Sequence, residues 1–217
     1  MSDARAQILG RIRSALADVP SSERAADVPV ARDYRRSDER PRAELVTLFA
    51  QRMSDYRARV QRVSADALRE AITHACSEQG LHTLAVPTGL PDAWLPAGVE
   101  LVRDDGLRAA ELDRIDGALT GCAAAIAETG TIVLDCGDFS GRRALTLVPD
   151  HHICVVAAEQ IHGQIAEALA AVATAVTAQH APITLVSGPS ASSDIELERV
   201  EGVHGPRHLT VLIVHGG

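Results

Sequence analysis

Short β-prone runs alternate with helical patterns along the chain from residue 58 onward. The runs are rich in valine, isoleucine and leucine and are bounded by glycine, proline or polar residues, as strands usually are. The predicted strands are 58–63, 82–86, 99–102, 132–134, 152–156, 183–186 and 209–214, and the longest predicted helix is 159–179. This alternation predicts an α/β fold with a mostly parallel sheet covered on both faces.

The first 40 residues differ in composition from the rest of the chain. Residues 3–18 carry an apolar stripe at helical spacing, whereas residues 19–40 are polar and contain few large apolar side chains. A second helix is predicted from Pro41, because proline suits the first turn of a helix. We therefore expect an N-terminal helix and polar arm over 1–40 and one large domain over 41–217, with 46% hydrophobic residues in the whole chain to supply its core.

Charge and composition disfavour several functions. A net charge of -8 and an aromatic content of 2% argue against a nucleic-acid partner. All 21 basic residues are arginine, so neither a lysine Schiff base nor a P-loop lysine is available. No apolar run approaches the roughly 20 residues that span a bilayer, and the amino terminus lacks the apolar core of a signal peptide. We therefore expect a cytoplasmic protein that does not insert into a membrane.

The cysteines offer no local metal-binding motif. They are far apart and never form C-x-x-C, and they are Cys76, Cys122, Cys136 and Cys154. This spacing is typical of buried apolar cysteines rather than of a zinc or iron–sulfur site. His204 and His208 are four residues apart, but Gly205 and Pro206 between them deny the helix that would point both at one metal. The sequence therefore predicts no metal site and no cofactor bound by this chain.

The stretch A-A-A-I-A-E-T-G-T-I-V-L at 123–134 places a lone carboxylate between two apolar segments. We predict that a buried alanine-rich helix ends at Glu128 and that a buried strand follows Thr131. Gly130 can turn the chain with a positive φ, and Thr129 and Thr131 can donate hydroxyl groups. Glu128 is therefore a candidate functional residue; the alternative is that it only caps a chain reversal.

A second polar stretch, S-G-P-S-A-S-S-D-I-E at 187–196, follows the carboxyl end of a predicted strand. Ligands of α/β sheets bind in the crevice at that end, so Asp194 and Glu196 are candidate site residues. The alternative is a loop in which a serine caps a helix and Glu196 completes a capping box. Both interpretations can hold together.

Two arginines and one histidine also have alternative interpretations. Arg142 and Arg143 lie in a polar, glycine-punctuated loop, where they bind a carboxylate or phosphate or simply form a solvated surface. His152 opens a continuous apolar strand, a position more typical of a hydrogen-bonded structural histidine than of a base.

Four motifs in this order and spacing resemble the LUD-domain family, closest to its LutC/YkgG branch. They are A-E-T-G-T-I-V-L at 127–134, P-D-H-H-I-C-V-V at 149–156, S-G-P-S-A-S-S-D-I-E at 187–196 and G-V-H-G-P at 202–206. The resemblance covers residues 41–217. It implies a three-layer α/β fold like that of NagB, ribose-5-phosphate isomerase and CoA transferases. It also implies a non-redox subunit of a complex that oxidises L-lactate to pyruvate, with two partner subunits that carry the iron–sulfur clusters.

The resemblance carries over to individual residues. These are Glu128, Thr129, Gly130, Thr131, His152, Gly188, Pro189, Ser190, Asp194, Ile195, Glu196, Gly202, His204, Gly205 and Pro206. Ala191 departs from the pattern, because relatives often have arginine or lysine there. If that side chain binds an anion in relatives, this chain must use another group, with Arg142, Arg143 and Arg207 as the candidates.

These residues suggest one pocket for a small anionic ligand. We expect Glu128, Asp194, Glu196 and His204 to converge at the edge of the sheet. Backbone amides at the neighbouring glycines and the side chains of Thr129, Thr131, Ser190 and His204 would bind the anion, and the glycines are Gly130, Gly188 and Gly205. Glu128 or Glu196 would then act as a base. The alternative is an independent CoA-transferase-like or sugar-phosphate isomerase-like enzyme with Glu128 as nucleophile or base.

Overall fold

The chain forms two compact units, Met1–Tyr34 and Arg35–Gly217. The computed structural model describes residues 2–20, 22–24, 27, 30–31, 33–192, 200–202 and 204–215. In the first unit, helix α1 spans Ser2–Ala15, where the sequence predicts a helix. Its apolar side chains are exposed to solvent, with Ile8 58%, Ile12 48% and the following Leu16 56% accessible. This stripe is therefore free to contact a partner.

The second unit contains the sheets. Its helices are α2 Arg42–Asp55, α3 Leu68–Gln79, α4 Ala109–Leu112, α5 Ile165–Ala171 and α6 Ala173–Gln179. Its strands are β1 Arg59–Ser64, β2 Thr83–Val86, β3 Glu100–Arg103, β4 Gly117–Thr120, β5 Ala124–Ile126, β6 Thr131–Leu134, β7 His151–Ala157, β8 Ile161–His162, β9 Thr184–Val186, β10 Ala191–Ser192, β11 Val200–Glu201 and β12 His208–His215. No helix in the described part of the chain is both long and apolar enough to cross a membrane.

Six strands form one parallel sheet in the order β1-β12-β7-β4-β2-β3. A second, mixed sheet has the order β8-β5-β6-β9, and β10 pairs with β11 in a short antiparallel ribbon. Each strand predicted from the sequence is present, although two of them, β6 and β9, belong to the second sheet. The predicted α/β fold with a parallel sheet is confirmed.

Different elements cover the two faces of the parallel sheet. On one face, Ile72 of α3 packs in a cluster with Leu212 of β12. On the other face, Phe49 of α2 packs together with residues of the second sheet. The far side of the second sheet is covered by α5, whose Ala168 contacts the cluster around Ile126. The layered α/β architecture implied by the family resemblance therefore follows from amphipathic helices that bury one face each.

The alanine-rich segment before Glu128 is not a helix, contrary to the prediction from the sequence. It forms β5, which pairs antiparallel with β6 so that Ile126 faces Thr131 across a turn of residues 127–130. Ala124 and Ala125 are fully buried because the second sheet is covered on both sides. Burial of small side chains on both faces of a strand outweighs the helix propensity of alanine.

The predicted long helix over 159–179 is also wrong. The chain instead makes a short 3-10 turn, strand β8 and the two helices α5 and α6, which meet at Val172. Gly163 interrupts the pattern because Asp38 packs against it, and a Cβ there would lie 2.1 Å from the Asp38 Cβ. Gln164 then starts α5, and its backbone N–H donates to the Glu167 carboxylate at 2.8 Å.

Gly130 makes the hairpin turn possible, and Gly130→Ala should strongly destabilise the fold. Its φ is +58°, and a Cβ would lie 2.6 Å from the Arg52 Cβ and 2.9 Å from the Arg52 carbonyl carbon. A left-handed alanine costs about 1–2 kcal/mol, and overpacking against a backbone adds about 1–3 kcal/mol. The matched control is Gly98→Ala, where φ is +75° but no atom lies within 4 Å. Denaturant unfolding should separate the two variants; equal losses would contradict the role of the Arg52 contact.

Candidate functional site

Three of the four motifs line a single cavity of about 310 Å³. The P-D-H-H motif contributes His152, the S-G-P-S motif contributes residues 187–190, and the G-V-H-G-P motif contributes residues 204–206. The remaining walls come from Arg143, Thr146, Leu147, Thr184, Leu185, Val186 and Leu209. The structure therefore brings Gly188, Ser190, His204 and Gly205 together, although they come from two separate loops.

Ser190 joins the two loops. Its backbone N–H donates to the Pro206 carbonyl at 2.8 Å, and its hydroxyl accepts the backbone N–H of His204 at 3.1 Å. Gly188 turns the chain with φ +88°, and a Cβ there would lie 2.5 Å from the Tyr56 Cβ. The cavity walls are thus held by backbone hydrogen bonds and by a close approach that only glycine permits.

The first motif reaches this cavity through hydroxyl groups. Thr131 Oγ1 lies 2.7 Å from Thr129 Oγ1 on one side and 2.7 Å from Ser187 Oγ on the other. Thr131 is 4% exposed and Ser187 lines the cavity, so the three hydroxyls form a chain from the hairpin turn to the cavity wall. Thr129 and Thr131 of the first motif are therefore linked to the cavity through Ser187 of the third motif, which is the residue of the three that lines it.

Glu128 lies elsewhere. It lines a separate cleft together with residues 35, 37–41, 48 and 52. Its carboxylate is 47% exposed and accepts a hydrogen bond from Arg35 Nη2 at 2.9 Å. The structure thus assigns Glu128 and His204 to different cavities, contrary to the expectation of one shared pocket. Asp194 and Glu196, together with Ile195, lie outside the described residues.

His152 is buried in the wall of the cavity. Its Nε2 lies 2.8 Å from Thr120 Oγ1, and burial lowers the pKa of the imidazole to about 4. The ring is therefore neutral at pH 7. In the described part of the chain its Nδ1 has no hydrogen-bond partner, yet no buried side-chain nitrogen or oxygen is unsatisfied. The contact with Thr120 is that of a hydrogen-bonded structural histidine, and it leaves Nδ1 without a partner among the described residues.

The three candidate arginines differ in their partners. Arg142 donates to the Asp104 carboxylate at 2.7 and 2.8 Å and to the Leu107 carbonyl. Arg207 donates to Asp150 at 2.7 Å. These contacts raise the pKa of both guanidinium groups and pair each of them with a carboxylate. Arg143, by contrast, has no side-chain partner among the described residues and lines the cavity. Arg143 is therefore the cation that is free to bind an anionic ligand.

A larger open cavity of about 990 Å³ adjoins the first and shares Arg143, Leu147, His204 and Gly205 with it. Its other lining residues include Asp116, Asp150 and His151, which lie just before or at the first residue of strands β4 and β7. The motif residues thus lie near the amino ends of the parallel strands. The expectation of a crevice at a carboxyl end is met only for β9, which belongs to the mixed sheet rather than to the parallel one.

The cysteines do not form a cluster of ligands in the described residues. Cys76, Cys122 and Cys154 are buried, and Cys136 is half-buried. Burial raises the pKa of Cys76 to about 11. A hydrogen bond with Cys154, together with burial, raises the pKa of Cys122. The thiols of Cys76 and Cys122 are therefore protonated and suited to packing rather than to metal binding.

The sequence matches the family described as LUD domain over residues 46–214. Lactate utilization protein C of Deinococcus radiodurans is 51% identical over 174 residues, which cover 80% of this chain and 81% of that protein. A protein of the same name from Halalkalibacterium halodurans is 26% identical and aligns over 79% of both chains.

The fold is also similar to that of a solved protein. A crystal structure of a DUF162 family protein from Deinococcus radiodurans, at 1.70 Å resolution, superposes with a TM-score of 0.70 and 43% sequence identity. The similarity covers 80% of this chain and 98% of the other. The family match over most of the chain and the 51% identical relative lead to one conclusion. This chain belongs to the LUD domain family.

Proposed function

We propose that this chain acts in lactate utilization as a non-redox subunit of an iron–sulfur complex that oxidises L-lactate to pyruvate. Relatives of this chain are named lactate utilization protein C, including the 51% identical protein. The cysteines in the described residues are buried or separate, so they are not arranged as cluster ligands. The electron-carrying iron–sulfur clusters would then reside in partner subunits, and no cofactor would be bound by this chain.

The convergence of three motifs on one cavity carries the proposal. The cavity volume of about 310 Å³ lies at the small end of ligand pockets, which suits a small organic acid. Arg143 would bind the carboxylate, and the hydroxyls of Ser187 and Ser190 would bind further oxygens. The ligand is therefore proposed to be a small anion such as lactate or pyruvate.

The residues around the cavity also define what this chain can do with such a ligand. Oxidation of lactate to pyruvate releases two electrons and two protons. If Nε2 of the neutral His152 donates to Thr120 Oγ1, the lone pair is on Nδ1, which can then accept the proton of the ligand hydroxyl. The electrons would pass to the clusters of the partner subunits. Glu196 stays a candidate acceptor of the second proton, whereas Glu128 lies in a separate cleft and is a candidate base or nucleophile of the alternative enzyme.

Affinity capture tests the assembly. A tagged full-length chain, purified without air from its native cells after growth on L-lactate, should co-elute with two cysteine-rich partners and with iron at a stoichiometric level. The same chain produced alone should elute without iron. Capture of no partner from lactate-grown cells, or iron bound by the chain produced alone, would refute the subunit proposal.

A further inference from the structure

We propose that Asp150, His151 and His208 bind a divalent first-row transition metal ion such as Zn²⁺. Their donor atoms lie within 4.8 Å of one another. The three residues lie where β7 and β12 begin, and Asp150 and His151 line the cavity of about 990 Å³. Two imidazoles and one carboxylate form a common set of protein ligands for such ions.

The sheet itself holds the two histidines side by side. His151 and His208 are register partners on adjacent parallel strands, so their side chains leave the sheet on the same face. Their rings stack with centroids 4.3 Å apart and planes 22° apart. The backbone of His208 also donates to the Asp150 carbonyl at 3.2 Å, which ties the third ligand to the same strand ends. The two histidines are therefore positioned by the hydrogen-bonded strands β7 and β12, and Asp150 directly precedes β7.

Gln79 fixes the protonation of His151. The Gln79 amide nitrogen donates to the Ala75 carbonyl at 3.0 Å and to Thr210 Oγ1 at 3.2 Å. A carbonyl oxygen can only accept, so the amide oxygen of Gln79 is the atom that faces His151 Nδ1 at 3.0 Å. Nδ1 must then carry the proton, and Nε2 keeps its lone pair. Metal-binding histidines usually have such an outer partner on the nitrogen that does not bind the metal.

Rotation of the His208 ring out of its stack on His151 completes the site, because an imidazole binds a metal ion in its own ring plane. Zinc–nitrogen bonds of about 2.0–2.1 Å place tetrahedral ligands about 3.3 Å apart, so the donor atoms must approach by about 1.5 Å at most. His208 is exposed and can rotate, whereas the half-buried Asp150 is held in place by Arg207. Arg207 Nε donates to Asp150 Oδ1 at 2.7 Å, which leaves Oδ2 outside that contact. The second oxygen remains available as a ligand.

Three protein ligands leave an open coordination position facing the cavity. Such a site resembles catalytic zinc sites, which keep a position for water or a ligand, more than closed structural sites. Because the ligands are partly exposed, the ion would exchange with solvent and would be absent from protein purified without added metal. The site is thus compatible with a chain that holds no metal tightly. The sequence did not predict this site, because His151 and His208 lie on two strands, β7 and β12, that become neighbours only in the folded chain.

Titration of the full-length, chelator-treated chain with Co²⁺ tests the proposal. One ion per chain should bind with visible absorption, and Zn²⁺ should displace it. His208→Ala should weaken binding at least tenfold, and Gln79→Leu should weaken it about 10- to 100-fold by freeing the His151 ring. His74→Ala, at an exposed histidine of α3, is the control and should bind like the parent chain. Thermal melts confirm that each variant is folded.

Two results would overturn the metal site. The first is the absence of saturable Co²⁺ binding by the parent chain. The second is parental affinity in the folded His208→Ala variant. Both are measured on the isolated chain, so they do not depend on whether it joins a lactate-oxidising complex.

Discussion

Replacing Arg143 with glutamate is expected to abolish growth on L-lactate when the variant replaces the native gene. Arg143 lines both adjoining cavities and has no side-chain partner among the described residues, so the variant removes a cation that no carboxylate pairs there and adds a repelling charge. A charge-assisted hydrogen bond contributes about 1.5–3 kcal/mol, so the neutral variant Arg143→Gln should raise the apparent KM for lactate about 10- to 150-fold. Growth curves and lactate oxidation by the purified complex measure the two effects.

The matched control is Arg69→Glu. Arg69 is an exposed arginine on α3, which covers the opposite face of the parallel sheet from the motif cavity. It carries the same charge reversal and should leave growth on lactate unchanged. Both variants should melt at the parental temperature, since neither arginine has a side-chain partner among the described residues. Normal growth with Arg143→Glu would rule out this cavity as the anion site.

The variant Glu128→Gln, assayed together with the Arg143 and Arg69 variants, tests whether the chain is instead a CoA-transferase-like enzyme. A glutamyl nucleophile or base needs the carboxylate, whereas its exposed ion pair with Arg35 contributes little to stability. If the chain is a CoA-transferase-like enzyme, acyl transfer by the isolated chain should be measurable and should disappear in this stable variant. If it is a non-redox subunit, the isolated chain should show no acyl transfer.

The sequence predicted five of the six parallel strands, because each of these is a short apolar run with clear boundaries, but it missed β4 Gly117–Thr120. It failed at 123–128, where alanine-rich strand β5 is buried on both faces and no longer shows the period of two that identifies a half-buried strand. It failed again at 159–179, because the break at Gly163 depends on the contact with Asp38, far away in the sequence. In both places tertiary packing decided what local propensity could not.

The candidate site residues were predictable as motifs but not as an arrangement. Ser190 and His204 share a cavity because backbone hydrogen bonds join two loops, and Glu128 lies apart because the hairpin turn faces the segment from Arg35 to Pro41. The distinction among Arg142, Arg143 and Arg207 rests on the partners Asp104 and Asp150, which no local pattern indicates. Pairings between distant residues therefore set both the geometry and the charge of the site.

Removing residues 1–34 is expected to leave the main unit folded but to abolish capture of the partner subunits. These residues form a compact unit of their own, so a chain that begins at Arg35 should melt at the temperature of the full-length protein. The exposed stripe of Ile8, Ile12 and Leu16 on and just beyond α1 offers an apolar face of the kind that docks into a groove of a partner. Affinity capture from lactate-grown cells measures the loss.

A chain that begins at Pro41 is the matched comparison, because it also lacks residues 35–40, the first six residues of the main unit. Within these residues the Asp38 carboxylate accepts hydrogen bonds from Arg40 and from Gln164 Nε2, and Asp38 covers Gly163. The Pro41 chain should therefore melt below the Arg35 chain, even though both lack α1.

The variant Ile12→Glu in the full-length protein separates docking from folding, because it should keep the parental melting temperature and lose the partner subunits. Retention of the partners by the Arg35 chain would show that α1 is not the docking element.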